Sequence, residues 1–182
     1  CHIDGTSKVS GNLDDYSFYS WGLLELYESC GESKYLFRVM ELQEILFKHF
    51  YDDTNGGFYF TADDSEKLFV RKKEIFDGAI PSGNSVELNI LGKLWQLTGN
   101  LKYREYSSKI ISSFISLIGN MPGGYSQFMS GYLQAKEEGI SIVFVYNNKE
   151  DIAKYLDILN EYYLPDKIIL FKKTDDTEID NL

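Results

Sequence analysis

The chain carries one helical pattern twice, at an offset of 68 residues, which is the distance from Leu23 to Leu91. In each copy apolar residues recur at steps of three and four, a glycine interrupts them, and a second apolar helical pattern follows. The identities that set this register are Leu23 with Leu91, Leu26 with Leu94, Gly31 with Gly99, Lys34 with Lys102, and Tyr35 with Tyr103. Two helices joined by so short a connection lie antiparallel, so the repeat predicts two helical hairpins.

The same periodicity predicts five helices in the first 138 residues. Their predicted ranges are 12–31, 34–50, 83–98 or 85–98, 101–118, and 125–138. Between the hairpins, β-prone runs at 58–61 and 68–71 flank an acidic turn and predict a short pair of strands. The last third changes character, because apolar runs at 140–146 and 167–171 enclose an amphipathic stretch at 149–161. That order predicts two parallel strands with a helical crossover.

The predicted fold class is therefore mainly α, with helical hairpins, a short β-hairpin excursion and a small C-terminal β-α-β unit. We expect residues 1–138 to form the helical part and residues 139–173 to form an appendage. Residues 174–182 are predicted to be an acidic tail.

Composition excludes several classes of function. A formal net charge of −10 argues against a nucleic-acid partner, because no basic stripe is available to bind phosphates. No apolar run reaches the length of a membrane span, and the two cysteines have neither disulfide-framework nor metal-type spacing. These features predict a reduced, cytoplasmic protein without a metal or another cofactor. The chain also opens without a methionine, which predicts a fragment of a longer protein.

The stretch 74–85 combines three chain-breaking residues with polar side chains directly before the third helix. Ser82 or Asn84 could cap that helix, whose free N–H groups and positive dipole end suit a small polar ligand. The repeat register aligns Asp15, Tyr16 and Ser17 with Gly83, Asn84 and Ser85, so stacked hairpins would bring both clusters to one mouth. A tight turn with a good cap uses the same residue types, and the residues alone leave both interpretations open.

Four motifs carry a family resemblance: 13–18, 22–28, 57–61 and 77–85. Together they resemble the C-terminal half of the thioredoxin-domain-containing family that includes spermatogenesis-associated protein 20. The resemblance implies an (α/α)6 toroid similar to N-acylglucosamine 2-epimerases and six-hairpin glycosidases, preceded by a thioredoxin-like domain. It also implies that this chain lacks that domain and the first hairpins of the toroid. With only His2 and His49 present, the paired-histidine chemistry of such epimerases does not carry over.

Two hypotheses of function follow. The first is a carbohydrate-active, epimerase-like or glycosidase-like site that binds a small polar or sugar-type ligand, with Asp14, Asp15 and Asp77 as the carboxylates. Its predicted ligand-binding residues are Tyr16, Arg71, Gly78, Ser82, Gly83, Asn84 and Ser85. The second is a non-enzymatic helical scaffold that binds a peptide or a metabolite beside the absent redox domain. In either case a partial toroid would leave apolar flanks uncovered, which predicts self-association.

Overall fold

The computed structural model describes residues 2–3, 6–7, 10–66, 69–136, 139–165, 167–177 and 179. The helices are α1 (Leu13–Cys30), α2 (Ser33–His49), α3 (Gly83–Thr98), α4 (Leu101–Ile118), α5 (Ser126–Lys136) and α6 (Glu150–Glu161). The strands are β1 (His2–Ile3), β2 (Thr6–Ser7), β3 (Ile140–Tyr146) and β4 (Lys167–Lys173), and a short 3-10 turn covers Pro122–Gly124. The structure thus confirms the mainly helical class and the small parallel β unit.

The two predicted hairpins end their first helices in the same way. Gly31 and Gly99 both have φ 66°, the left-handed conformation that suits glycine after a helix. Their N–H groups donate to Tyr27 O and to Trp95 O, each at 2.8 Å. Since Tyr27 and Trp95 are themselves 68 residues apart, the repeat seen in the sequence is also a repeat of structure.

The helices form two layers. In one layer α3 lies between α1 and α5 and packs against both, while α2 packs on α1 and α4 packs on α3. The second layer consists of α2 and α4. These two helices contact each other through aromatic side chains, since Phe47 of α2 stacks on Tyr106 of α4 with ring centroids 4.0 Å apart. The central helix α3 is the most enclosed, and Leu88, Leu91 and Leu94 on it have no exposed surface. This arrangement places the N-termini of α1 and α3 side by side.

The β-hairpin predicted between the helical hairpins is not formed by the described residues of 58–61 and 69–71. Phe58 instead makes an isolated antiparallel bridge with Tyr51, and Tyr59 N–H donates to Phe50 O at 2.8 Å. Farther along, Phe60 N–H donates to Lys72 O at 2.7 Å. The segment therefore folds back on the end of α2, because the glycine-rich turn before Phe58 reverses the chain there. Leu68, part of the predicted second strand, lies outside the described residues.

The C-terminal unit has the predicted parallel order. β3 pairs with β4 from Ile140 opposite Lys167 to Tyr146 opposite Lys173. β4 packs on the helical layer, where the Phe171 ring meets the Tyr27 ring edge-on at 5.9 Å. The division into a helical part, an appendage and a tail stays a prediction. Among the residues described, no helix combines the length and apolar character needed to cross a membrane.

Candidate ligand site at the helix N-termini

The N-termini of α1 and α3 touch at one close approach. A Cβ added at Gly83 would lie 2.6 Å from Asp14 Oδ1 and 2.7 Å from Leu13 Cγ. Glycine is therefore needed at position 83 for the two helices to come this close. The predicted clusters around residues 14 and 83 do meet at one end of the helical layer.

Asp14 is the predicted catalytic carboxylate that lies in this contact. Burial raises the pKa of Asp14, and the negative charges of Glu74 and Asp15 raise it further. A hydrogen bond from the Gly83 N–H lowers the pKa and offsets part of this effect. Glu74, an exposed residue that the sequence analysis did not single out, therefore acts electrostatically on Asp14.

Asp77 holds the loop and the start of α5 together. Its Oδ1 accepts the Ser82 N–H at 3.0 Å, and its Oδ2 accepts the N–H groups of Gln127 at 2.9 Å and Phe128 at 3.1 Å. Its own N–H donates to Gly124 O at 3.0 Å. The carboxylate thus caps α5, which is a role that no local sequence pattern around Asp77 indicates.

Asn84 is a buried clamp rather than an outward-facing group. Its Oδ1 accepts the Phe58 N–H at 2.7 Å, and its Nδ2 donates to Phe58 O at 2.9 Å and to Glu74 O at 2.8 Å. The side chain has no exposed surface. It therefore supplies the backbone pairing that a neighbouring strand would otherwise give to Phe58.

The serines before and within α3 complete the cap of that helix. Ser82 Oγ accepts the Ser85 N–H at 3.2 Å, and the two hydroxyls are 2.9 Å apart. This arrangement confirms Ser82 as the N-cap, which was one of the two alternatives. At α1 the N-cap is Asn12, and Asp15, three residues later, accepts the Asn12 N–H at 2.8 Å.

Arg71 is also used within the chain. Its guanidinium donates to Thr61 O and to His49 O, and it lies over the Tyr59 ring at 4.3 Å. Of the two remaining predicted ligand residues, Tyr16 packs on Phe50 with ring centroids 5.4 Å apart. Gly78 is exposed in the loop.

Asp52 organises the turn after α2, and the sequence analysis missed it. It accepts hydrogen bonds from Thr54 N–H, Asn55 N–H and Nδ2, and the Tyr59 hydroxyl, at 2.9–3.1 Å. Its Oδ2 also lies 2.5 Å from Lys73 Nζ in an ion pair that is largely buried. The hydrogen bond with Lys73 is the main reason why the pKa of Asp52 lies far below its ordinary value. The Asp-Asp-Thr-Asn-Gly composition of the turn was the signal for such an arrangement.

A second missed group is a polar cluster inside the core, formed by Ser17 of α1, Gln43 of α2 and Glu87 of α3. None of these three residues has exposed surface. Burial raises the pKa of Glu87 to about 7, and the nearby Ser17 and Gln43 partly offset that effect. Neither forms a well-aligned hydrogen bond with the carboxyl, and the Ser17 hydroxyl donates to Leu13 O at 2.9 Å. The sequence signal for this cluster was Glu87 itself, an ionisable residue within the apolar pattern of α3.

One described group has donor atoms spaced for a metal ion. His49 Nδ1 lies 2.8 Å from Asp63 Oδ1 and 3.5 Å from Asp64 Oδ2, and all three atoms lie within 4.8 Å of one another. The hydrogen bond with His49 is the main cause that lowers the pKa of Asp63. Both carboxylates are more than half exposed, so the arrangement also suits a surface ion pair without a metal.

Two clefts lie away from the helix N-termini. One, of about 930 Å³, is an open groove between α2 and α4, and the other, of about 790 Å³, lies between α3, α4 and α5. None of the predicted site residues lines either cleft. The candidate site is therefore an end of the helical layer and does not extend into these clefts.

Fold and site define a mainly helical domain of stacked α-hairpins with a small β-α-β unit. Spermatogenesis-associated protein 20 of Rattus norvegicus is 29% identical to the chain over 168 residues, and that of Homo sapiens is 27% identical. Each match covers 91% of this chain and 21% of the relative. An uncharacterised protein of Caenorhabditis elegans is 31% identical over 119 residues. No protein-family model matches the chain.

These similarities confirm the family resemblance that the motifs carry: the chain is homologous to spermatogenesis-associated protein 20 over most of its length. It spans about a fifth of the length of these relatives. The toroid part of the resemblance stays a prediction.

Proposed function

We propose that the chain is part of a carbohydrate-active domain of the toroid type that binds a small polar, sugar-type ligand where α1 and α3 begin. The observation that carries this proposal is the half-buried carboxyl of Asp14 at the contact with Gly83. Its pKa is raised by burial, and a carboxyl with a raised pKa suits general acid–base catalysis. Asp15 and Asp77 hold helix ends in this proposal, so the acid–base role falls to Asp14.

Further features of the same end of the layer support a sugar-type ligand. Glu74 supplies a second carboxylate whose charge acts on Asp14, and most glycosidases use a pair of carboxyl groups at the scissile bond. Phe76, on the same loop, is 56% exposed and offers an aromatic face of the kind that packs against sugar rings. The layered order of α1, α3 and α5 backed by α2 and α4 supports the toroid assignment.

A specific observation also favours the alternative, a non-enzymatic scaffold beside a thioredoxin-like domain. Asp77, Ser82, Asn84 and Arg71 direct their polar atoms to groups of this chain. A loop so fully bonded internally is rigid and suits a fixed surface for a peptide or a metabolite. In this alternative the redox chemistry belongs to the thioredoxin-like domain and not to the helices described above.

We further propose a cytoplasmic location and self-association of the isolated chain. Cys30 is a free thiol, which fits a reducing compartment. Phe69, Val70 and Tyr163 are apolar or aromatic side chains with at least 70% of their surface exposed. Light scattering that finds a strict monomer at high concentration would contradict the self-association proposal.

The ligand proposal is tested by thermal-shift measurements with sugars, sugar phosphates and nucleotide sugars. Asp14→Asn keeps an acceptor for the Gly83 N–H but removes the charge, and Asp157→Asn makes the same change on the exposed surface of α6. We expect a ligand to raise the Tm of the wild type and of Asp157→Asn but not of Asp14→Asn. Equal shifts in all three proteins would exclude Asp14 from the site. No shift with any compound would favour the scaffold.

A further inference from the structure

The carboxyl of Glu87 is the most unusual group in the core. It lies on α3 between Val86 and Leu88, and its residue has no exposed surface. Neither Oε1 nor Oε2 has a hydrogen-bond partner among the described residues. A charged carboxylate left in this state is strongly unfavourable, whereas a neutral acid is tolerated far better.

The groups that face Glu87 are neutral. Ser17 approaches it from α1 and Gln43 from α2, and these two side chains together with burial determine its protonation. The charged groups on the α1–α3 contact lie away from it: Asp14 meets α3 at Gly83, and Lys93 pairs with Glu28 toward the other end. No ionisable group of α4, α5 or β4 within the described residues shifts its protonation.

The hydrogen-bonding capacities of Glu87 and Gln43 match when the acid holds its proton. A primary amide has a donor and an acceptor, and so does a protonated carboxyl, so a small rotation lets each satisfy the other. Both Oε1 and Nε2 of Gln43 are buried and have no partner among the described groups. A carboxylate could accept from Nε2 but would leave the amide oxygen without a donor, so only the neutral acid serves both.

We propose that Glu87 is a proton-binding site within the core, and that α1, α2 and α3 pack tightly only while Glu87 is protonated. Glu87 lies one helical turn inside Gly83, and Ser17 lies about one turn inside Asp14. Loss of the proton therefore loosens the helical layer directly beneath the contact of the two helix N-termini. This effect of the Glu87 proton on helix packing does not depend on whether the contact of the helix N-termini binds a ligand.

The direction of the pH effect follows from the protonation of the two states. Burial raises the pKa of Glu87 from its ordinary value of 4.5 to about 7 in the folded chain. The folded state therefore holds the proton over a range in which the unfolded state has lost it. The resulting stabilisation is complete below about pH 4.5 and is lost as the pH rises through about 7. Between pH 5 and pH 8 this one group should change the unfolding equilibrium constant on the order of a hundredfold.

The test is urea unfolding of the wild type, Glu87→Gln and Glu105→Gln at pH 5, 6, 7 and 8. Glu87→Gln keeps the shape and stays neutral, and Glu105→Gln makes the same change at an exposed position of α4. We expect the wild type and Glu105→Gln to lose about a hundredfold in folding equilibrium from pH 5 to pH 8 relative to Glu87→Gln. Parallel pH profiles of the wild type and Glu87→Gln would overturn the proposal.

A direct observation of the proton keeps the proposal testable if Glu87→Gln does not fold. Infrared spectroscopy distinguishes the carbonyl stretch of a protonated carboxyl from that of a carboxylate. The folded wild type should show the protonated band at pH 6 and lose it by pH 8 as the layer loosens. Absence of that band at pH 6 would show that Glu87 is ionised and would overturn the proposal.

Discussion

Two enclosed carboxyls in this chain have opposite environments. Asp52, in the turn after α2, is 6% exposed and has five hydrogen-bond or ion-pair donors within 3.1 Å. Glu87, in the middle layer, has no exposed surface and no such partner among the described residues. The pKa is therefore lowered at Asp52 and raised at Glu87. Burial alone does not decide whether a carboxyl is charged, because the supply of donors decides it.

The difference comes from the local chain. A turn leaves backbone N–H groups free, so Asp52 finds donors within a few residues of itself. A helix interior uses its N–H groups for its own hydrogen bonds, so Glu87 must find partners on other helices. The side chains that approach it, Ser17 and Gln43, carry no charge and form no well-aligned hydrogen bond with its carboxyl. The following variants test whether this contrast governs stability.

The largest effect is expected for Asp52→Ala. The change leaves Lys73, whose side chain is 16% exposed, without its carboxylate and frees several N–H groups of the turn. Breaking a buried ion pair by removing one partner destabilises by about 3–5 kcal/mol. Urea unfolding would measure it, with Asp53→Ala at the exposed neighbouring position as the control. A loss below about 1 kcal/mol would mean that the turn is stabilised by other contacts.

The second prediction concerns the acid side of the stability profile. Because the hydrogen bond with Lys73 lowers the pKa of Asp52, its stabilisation is present above the unfolded value of 3.8 and is lost as the pH falls below it. We expect the wild type to lose stability from pH 4 to pH 2 more steeply than Asp52→Asn does. Glu87→Gln should lose stability between pH 4 and pH 2 as steeply as the wild type, since Glu87 changes the pH dependence of stability only above about pH 4.5. Equal losses of stability between pH 4 and pH 2 in the wild type and in Asp52→Asn would contradict the lowered pKa of Asp52.

Asn84→Ala tests whether satisfied buried bonds matter without a charge. The change removes three hydrogen bonds to the backbone of Phe58 and Glu74. Leaving such buried groups unpaired should destabilise by about 2 kcal/mol. Thermal unfolding would measure it against Asn120→Ala, an exposed asparagine after α4. Equal Tm values for the two variants would show that water replaces the clamp.

The smallest effect is expected for an ion pair of similar length on the surface. Lys102 Nζ lies 2.6 Å from Glu44 Oε1, but the two side chains are 37% and 61% exposed. Glu44→Gln should therefore cost less than about 1 kcal/mol, and this loss should shrink further in high salt. A loss of stability as large as that of Asp52→Ala would contradict the comparison. It would mean that the length of an ion pair, and not its burial, decides how much the pair stabilises the fold.

Much of the fold could be predicted from local sequence. The observed α1, α3 and α4 begin and end within about one residue of their predicted ranges, because caps, glycines and helical periodicity are local signals. The β-α-β unit was predicted for the same reason. The described residues of 58–61 and 69–71 do not form the predicted β-hairpin, because Phe58 pairs with Tyr51 and is held by Asn84, which lies 26 residues away. No local pattern encodes that contact.

For the candidate site, the sequence by itself determined that polar residues gather at the start of α1 and α3 and that a repeat relates the two positions. Only the tertiary structure decided which of them remain available. Asp77 caps α5, 50 residues farther along, and Arg71 binds carbonyls of the preceding segment, whereas Asp14 stays half-buried at the contact of two helices. It also decided that Glu87 lies among neutral groups. The physical reason is that helices and caps depend on neighbours in sequence, whereas the partners and protonation of a polar side chain depend on neighbours in space.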